Sequence, residues 1–192
     1  MVKVAVTGGI GSGKSYVCRL IERRGIHVYD CDSAAKRIMA SSDEIKAALC
    51  RVVGDDVLPE GRIDKAVLAS YLLKSEKNAQ QINRIVHPAV AEDFISSGYS
   101  WMECAILFSS GFDKLVDKVV CVTAPLEVRV DRIVRRDNIS RDNALEWIGR
   151  QMPQEEVKTL SDYEIVNDGV MDVDIQIDKI LASISGFDAD CK

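Results

Sequence analysis

The chain reads as an α/β protein, a parallel sheet wrapped by helices, and three observations carry that reading. Strand-like and helix-like patterns alternate along most of its length. Its 192 residues suit one domain with inserted helices, and 47% hydrophobic content suffices for a core. A complete G-x-x-x-x-G-K-S run at residues 8–15 stands between a β-rich stretch and a helical one.

Taken in order, residues 2–7 (V-K-V-A-V-T) predict a buried first strand, and residues 14–24 the helix that follows the glycine-rich loop. A short second strand is expected at 26–29. Helical stretches at 33–40, 42–53, 65–73 and about 75–96 then form a largely helical insertion between strands two and three, able to cap an acceptor pocket. His87-Pro88 is expected to end the helical run 80–86 in a bend, because proline lacks a donor and biases the residue before it away from helical geometry. A third strand is predicted at 101–108 and a fourth at 116–123. Helices at 126–136 and 141–152 are joined by D-N-I-S at 137–140, residues 164–166 make a last short strand, 173–185 a closing amphipathic helix, and 186–192 a frayed tail.

A formal charge of −5, from 25 basic and 30 acidic residues, argues against general nucleic-acid binding, so any anion site must be local. The six cysteines, at 18, 31, 50, 104, 121 and 191, show no C-x-x-C pair and no metal-ligand spacing, which favours reduced, buried thiols. No stretch approaches the roughly 18 apolar residues that span a bilayer, and the start shows no charged-then-apolar leader. A soluble, cytoplasmic protein without membrane or nucleic-acid partners is the expectation.

The chemistry concentrates at the loop. Its backbone N–H groups converge on a phosphate, Lys14 reaches the β/γ oxygens and the Ser15 hydroxyl meets Mg²⁺, while the following helix adds the positive end of its dipole. Asp30 and Asp32 fall at the end of the second strand, where ligands of doubly wound sheets collect. Asp32 suits the task of orienting an acceptor hydroxyl and taking its proton, or it caps the next helix, or both. Arg129, Arg132, Arg135, Arg136 and Arg141 form the one dense arginine cluster of the sequence. Positions 129, 132 and 136 share a helix face, either solvated or lining a closing cleft that neutralises a transferred phosphoryl group. His87 is most simply a pocket-wall residue, and His27 has no supporting constellation.

In this order the motifs resemble the dephospho-coenzyme A kinase family from end to end. They are T-G-G-I-G-S-G-K-S at 7–15, D-C-D-S-A-A-K at 30–36, G-R-I-D-K-A-V-L at 61–68, R-I-V-H-P at 84–88 and I-L-F at 106–108. The R-x-x-x-R spacing of Arg132 and Arg136, Gln151, and S-D-Y-E-I-V-N at 161–167 complete the set. The resemblance implies one kinase domain over 1–192: a P-loop NTPase-like three-layer sandwich with an acceptor-binding insertion at about 33–98 and a lid at about 126–152. It implies γ-phosphoryl transfer from ATP, with Mg²⁺, to the ribose 3′-hydroxyl of dephospho-coenzyme A. Lys14, Asp32 and Arg136 would be catalytic. Gly9, Gly11, Ser12, Gly13, Lys14, Ser15, Tyr16, Arg136 and Asn167 would bind ATP, with Ser15 on the metal and Asn167 in the loop that approaches adenine. Thr7, Asp32, Asp64, Arg84 and His87 would bind the acceptor. The chain departs from the family pattern at Ser109 (usually glutamate), Ala105 (usually proline) and Tyr16 (more often threonine). A nucleoside-monophosphate kinase would share loop, lid and insertion, whereas a guanine-nucleotide switch would carry N-K-x-D, which the sequence lacks.

Overall fold

The computed structural model describes residues 2–190, with side chains through Gly186. Strands β1 (Val4–Thr7), β2 (Val28–Asp30), β3 (Trp101–Glu103), β4 (Lys118–Thr123) and β5 (Tyr163–Val166) form one sheet in the order β2-β3-β1-β4-β5. The pairings of β1 with β3 and β4, and of β4 with β5, are parallel, placing Val4 opposite both Trp101 and Lys118. The helices are α1 (Lys14–Glu22), α2 (Cys31–Ser41), α3 (Asp43–Val53), α4 (Lys65–Lys74), α5 (Glu76–Ser97), α6 (Leu107–Ser110), α7 (Leu126–Asp137), α8 (Arg141–Gly149), α9 (Gln154–Thr159) and α10 (Val173–Asp190). Helices cover both faces of the sheet. That explains why β1 is buried at every position, with Val4, Ala5 and Val6 apolar in succession rather than alternating.

The chain divides into two compact units, one made of the stretches up to Tyr29 and from Tyr99 onward, the other of Asp30–Gly98. In the first, Val4 and Val6 pack with Val17, Leu20 and Ile21 of α1 and with Ile177, Ile180 and Ile184 of α10. A smaller cluster holds Val130, Ile133 and Ala144 of α7 and α8, with Ile10 of the glycine loop packed against it. That contact sets the two helices beside the loop. Arg141 and Glu127 clamp α8 to α7 through two hydrogen bonds of 2.7 Å each. In the second unit α2, α3 and α4 all pack on α5.

Four elements differ from expectation. The third strand stops at Glu103 instead of reaching residue 108, and residues 107–110 are helical. Its partner β1 ends at Thr7, where the loop turns away, so beyond the bond from Cys104 N to Val6 O (3.0 Å) there is no ladder left to join. Helix α5 runs through Pro88 without ending. Ile82, Val86, Val90 and Phe94 form one buried stripe on both sides of the proline, and that packing outweighs the roughly 3 kcal/mol of an internal proline. Helix α8 ends at Gly149, after which Pro153 starts the separate α9. The backbone of α10 continues to Asp190, past the expected end at 185, while residues 191–192, including Cys191, lie outside the described residues. Among the described residues the other five cysteines are free thiols, and no helix is long and apolar enough to cross a membrane.

Candidate active site

The glycine loop leaves the carboxyl end of β1, the central strand, and opens α1. Gly13 is the helix N-cap with φ +96°, and a side chain there would overlap Nδ2 of Asn167. Only glycine meets both demands without strain. Lys14 Nζ donates to the carbonyls of Gly8 (2.8 Å) and Gly9 (3.4 Å), so its ammonium lies across the loop's own backbone. Tyr16 points out of α1, 44% exposed. Ser12 is buried, and its hydroxyl is the one buried side-chain polar atom without a hydrogen bond among the described residues.

Behind the loop, three side chains take its carbonyls. Arg129 Nε donates to Ile10 O (2.9 Å), and Arg132 Nη1 donates to Gly11 O (3.3 Å) and Ser12 O (3.1 Å). Asn167 Nδ2 donates to Ser12 O (2.8 Å), while its Oδ1 accepts from Arg132 Nη2 (3.4 Å). A peptide whose C=O is drawn backward presents the next N–H forward, so these bonds aim the loop's amides at an anion. On the front, Gln151 Oε1 accepts from Ile10 N–H at 2.7 Å.

Ser15 Oγ donates to Glu103 Oε1 at 3.0 Å. Glu103 sits at the carboxyl end of β3, beside β1, and sequence reasoning missed it because the residue read as the middle of a long strand. An acid closing a short apolar strand was the available signal. The neighbouring thiol of Cys18 is pushed well above its usual range by burial and by this carboxylate. A hydroxyl and a carboxylate, both hard oxygen donors, fit Mg²⁺, which takes one or two protein groups and fills its sphere with phosphate oxygens and water. Among the described residues there is no denser cluster of metal-binding side chains.

A cavity of about 160 Å³ opens next to the loop, walled by Thr7, Gly8 and Gly9, by residues 105–109, and by Arg150, Gln151, Met152 and Val157. Thr7 is buried in its wall, and Ser109 stands at its rim, with Oγ turned back to Ile106 O (3.2 Å).

The expected lid arginines separate. Arg129 and Arg132 lie against the loop, whereas Arg136, the expected phosphate contact, is paired with Asp137 through Nε (3.0 Å) and Nη2 (2.8 Å) and its side chain is 61% exposed. Asn167 supports the loop from behind, a role the sequence did not suggest.

In the second unit, the cap of α2 is Asp30, which accepts from Ser33 N (3.0 Å) and Ser33 Oγ (2.7 Å). The capping alternative for Asp32 is thereby corrected. Asp32 is exposed in the first turn, its carboxylate unpaired among the described residues. Asp64 caps α4 through Ala66 N (2.8 Å) and Val67 N (3.1 Å). Arg84 and His87 stand one turn apart on α5, the arginine exposed and the histidine half-buried, with burial lowering the imidazole pKa.

Residues 2–172 match the family model described as dephospho-CoA kinase. A dephospho-CoA kinase of Bacteroides fragilis is 41% identical over 94% of this chain and 92% of its own, and one of Porphyromonas gingivalis is 36% identical over 87% and 86%. Among solved structures, a Thermus thermophilus protein superposes with a TM-score of 0.83 at 27% identity, covering 95% of this chain and 96% of its own. The dephospho-CoA kinase of Campylobacter jejuni, at 21% identity, shares the fold with a TM-score of 0.68 over 97% and 98%. Because the likeness takes in both compact units as well as the phosphate loop, the chain belongs to the dephospho-CoA kinase family, a family of phosphotransferases.

Proposed function

We propose that this chain transfers the γ-phosphoryl group of ATP to the ribose 3′-hydroxyl of dephospho-coenzyme A, yielding coenzyme A and ADP, with Mg²⁺ as the cation and the cytoplasm as its place of work. One observation carries the reading: a complete phosphate loop whose carbonyls are drawn backward by Arg129, Arg132 and Asn167, in a chain of this family.

In this mechanism the loop amides and Lys14 hold the β and γ phosphates, the lysine exchanging the Gly8 and Gly9 carbonyls for phosphate oxygens. Ser15 and Glu103 are the residues that would hold Mg²⁺, which when bound offsets charge on the phosphate oxygens. Asp32 takes the proton of the 3′-hydroxyl as its oxygen attacks Pγ, and the bond from Pγ to the bridging oxygen breaks with its electron pair leaving on ADP. Its exposed, unpaired carboxylate supports that role. Arg136 contributes by exchanging Asp137 for the transferred phosphoryl group. Asp64, Arg84, His87 and Thr7 shape the acceptor site, and residues 33–98 and 126–152 serve as acceptor-binding insertion and lid.

The test is transfer from γ-labelled ATP with Mg²⁺ to a panel of dephospho-coenzyme A, AMP, UMP, CMP and adenosine, with products weighed by mass spectrometry. Label on dephospho-coenzyme A alone is expected. Label on a nucleotide would move the chain to the nucleoside-monophosphate kinases.

A further inference from the structure

Arg129 lies outside the Arg132/Arg136 pair of the family pattern, yet it is the arginine set deepest against the loop. The residue underlies three successive loop positions, its side chain beneath Gly9 and Ile10 and its backbone beneath Gly11. Gly11 takes φ +79°, and a Cβ there would come within 2.6 Å of Arg129 O and 3.0 Å of its Cα. A Cβ on Gly9 would fall 2.9 Å from Arg129 Cζ and closer still to Nη2. Between the two glycines, Nε binds the carbonyl of Ile10. The glycines therefore serve close approach to this arginine as well as approach to a phosphate.

The charge itself is unusual. Arg129 is 5% exposed, its one side-chain hydrogen bond among the described residues is that to Ile10 O, and no described carboxylate pairs with it. Burial pulls its pKa down from the ordinary guanidinium value, which is high enough that it remains charged. By contrast, Arg24 pairs with the exposed Asp174 and Asp178, and Arg141 with the exposed Glu127. A buried cation without a counter-ion is costly unless a partner arrives. The phosphate loop is the anion site it adjoins.

We infer that Arg129 is a positioning residue for the nucleotide's phosphates: its fork sets the Ile10–Gly11 peptide so that the Gly11 N–H faces the anion, and its unneutralised charge is completed by the polyphosphate. The inference rests on the proposed ATP site and adds to it a residue the family spacing does not mark. It also divides the labour of helix α7, with Arg129 and Arg132 one turn apart fixing the loop's shape and Arg136, farther along, free to exchange partners.

The test compares ADP and adenosine binding by calorimetry, and thermal melting without nucleotide, in wild type, R129M and R129K. R129M keeps an unbranched side chain as far as the position of Nε and removes the guanidinium, with its charge and its donors. ADP affinity is expected to fall on the order of 10- to 100-fold, the worth of a hydrogen bond from a charged group. Adenosine affinity should hold, and the melting temperature of free R129M should equal or exceed that of the wild type, because a lone buried charge is gone. R129K, with charge but no fork, should lie between the two in ADP affinity. Unaltered ADP binding by R129M would overturn the inference, as would an equal loss for ADP and adenosine. So would an R129M chain too unstable to fold beside an R129K chain that binds ADP like the wild type, for the arginine would then be packing alone. Wild-type protein that binds no ADP would remove the kinase reading and this inference together, whereas wild-type binding with an indifferent R129M removes the inference only.

Discussion

Asn167→Ala separates support of the loop from contact with the base. Asn167 is 6% exposed, and its Nδ2 holds Ser12 O at 2.8 Å while its Oδ1 receives Arg132 Nη2 at 3.4 Å. Truncation deletes one short buried hydrogen bond, worth about 1 kcal/mol, and one long bond to a cation, worth about 1 kcal/mol more at most. Ser12 O keeps Arg132 Nη1 at 3.1 Å, so the carbonyl is not orphaned and no full desolvation penalty applies. The expected loss of stability is therefore about 1–2 kcal/mol, read from urea unfolding by linear extrapolation. Binding should discriminate further. With the Ser12–Gly13 peptide less constrained, ADP and inorganic tripolyphosphate should both weaken, by roughly tenfold for about 1.4 kcal/mol. An adenine contact would weaken ADP and leave tripolyphosphate alone. Stability within about 0.5 kcal/mol of wild type together with unchanged tripolyphosphate affinity would refute the loop-support argument.

Glu103→Gln keeps the shape of its side chain but leaves Ser15 facing an amide, so the Mg²⁺ concentration for half-maximal activity should rise at least about tenfold in a metal titration, with a fold no less stable by thermal melting. Asp32→Asn should leave ATP affinity near wild type and lower turnover by roughly 10²-fold or more in the coupled assay for ADP; unaffected turnover would remove it from the chemistry. Burial lowers the pKa of His87, so the unfolded chain binds its proton more readily as the pH falls below the ordinary value of 6.5. Stability is complete above that pH and declines below it, and His87→Gln should flatten this part of the stability profile measured between pH 7 and pH 5. Ser109→Glu should change turnover by no more than about twofold, as for a surface substitution, since Glu103 already places a carboxylate beside Ser15.

The loop, its strand and its helix were legible because glycines at fixed spacing admit few other structures. The arginine cluster was legible as a face but not in its aim. Spacing groups residues 129, 132 and 136, whereas the packing of Ile10 against Val130, Ile133 and Ala144 decides that the first two meet the loop and the third meets Asp137. Glu103 was hidden because strand length depends on where the neighbour β1 ends, a fact of pairing rather than of local sequence. The bend expected at His87-Pro88 fails for a similar reason: local propensity opposes a helix there, and a stripe from Ile82 to Phe94 overrides it. Asp30 and Asp32 compete for one cap by two residues of register, which periodicity alone does not resolve.

The contacts of Lys14 with Gly8 and Gly9, and of Gln151 with Ile10, give the loop internal substitutes for the partners a nucleotide would bring. Nucleotide entry is then an exchange reaction, in which a lysine leaves two carbonyls and a glutamine leaves an amide before phosphate oxygens replace them. Affinity at such a loop is a difference between two sets of contacts. It can be raised without touching any group that meets the nucleotide, by weakening the contacts the loop makes within the chain, as at Gln151.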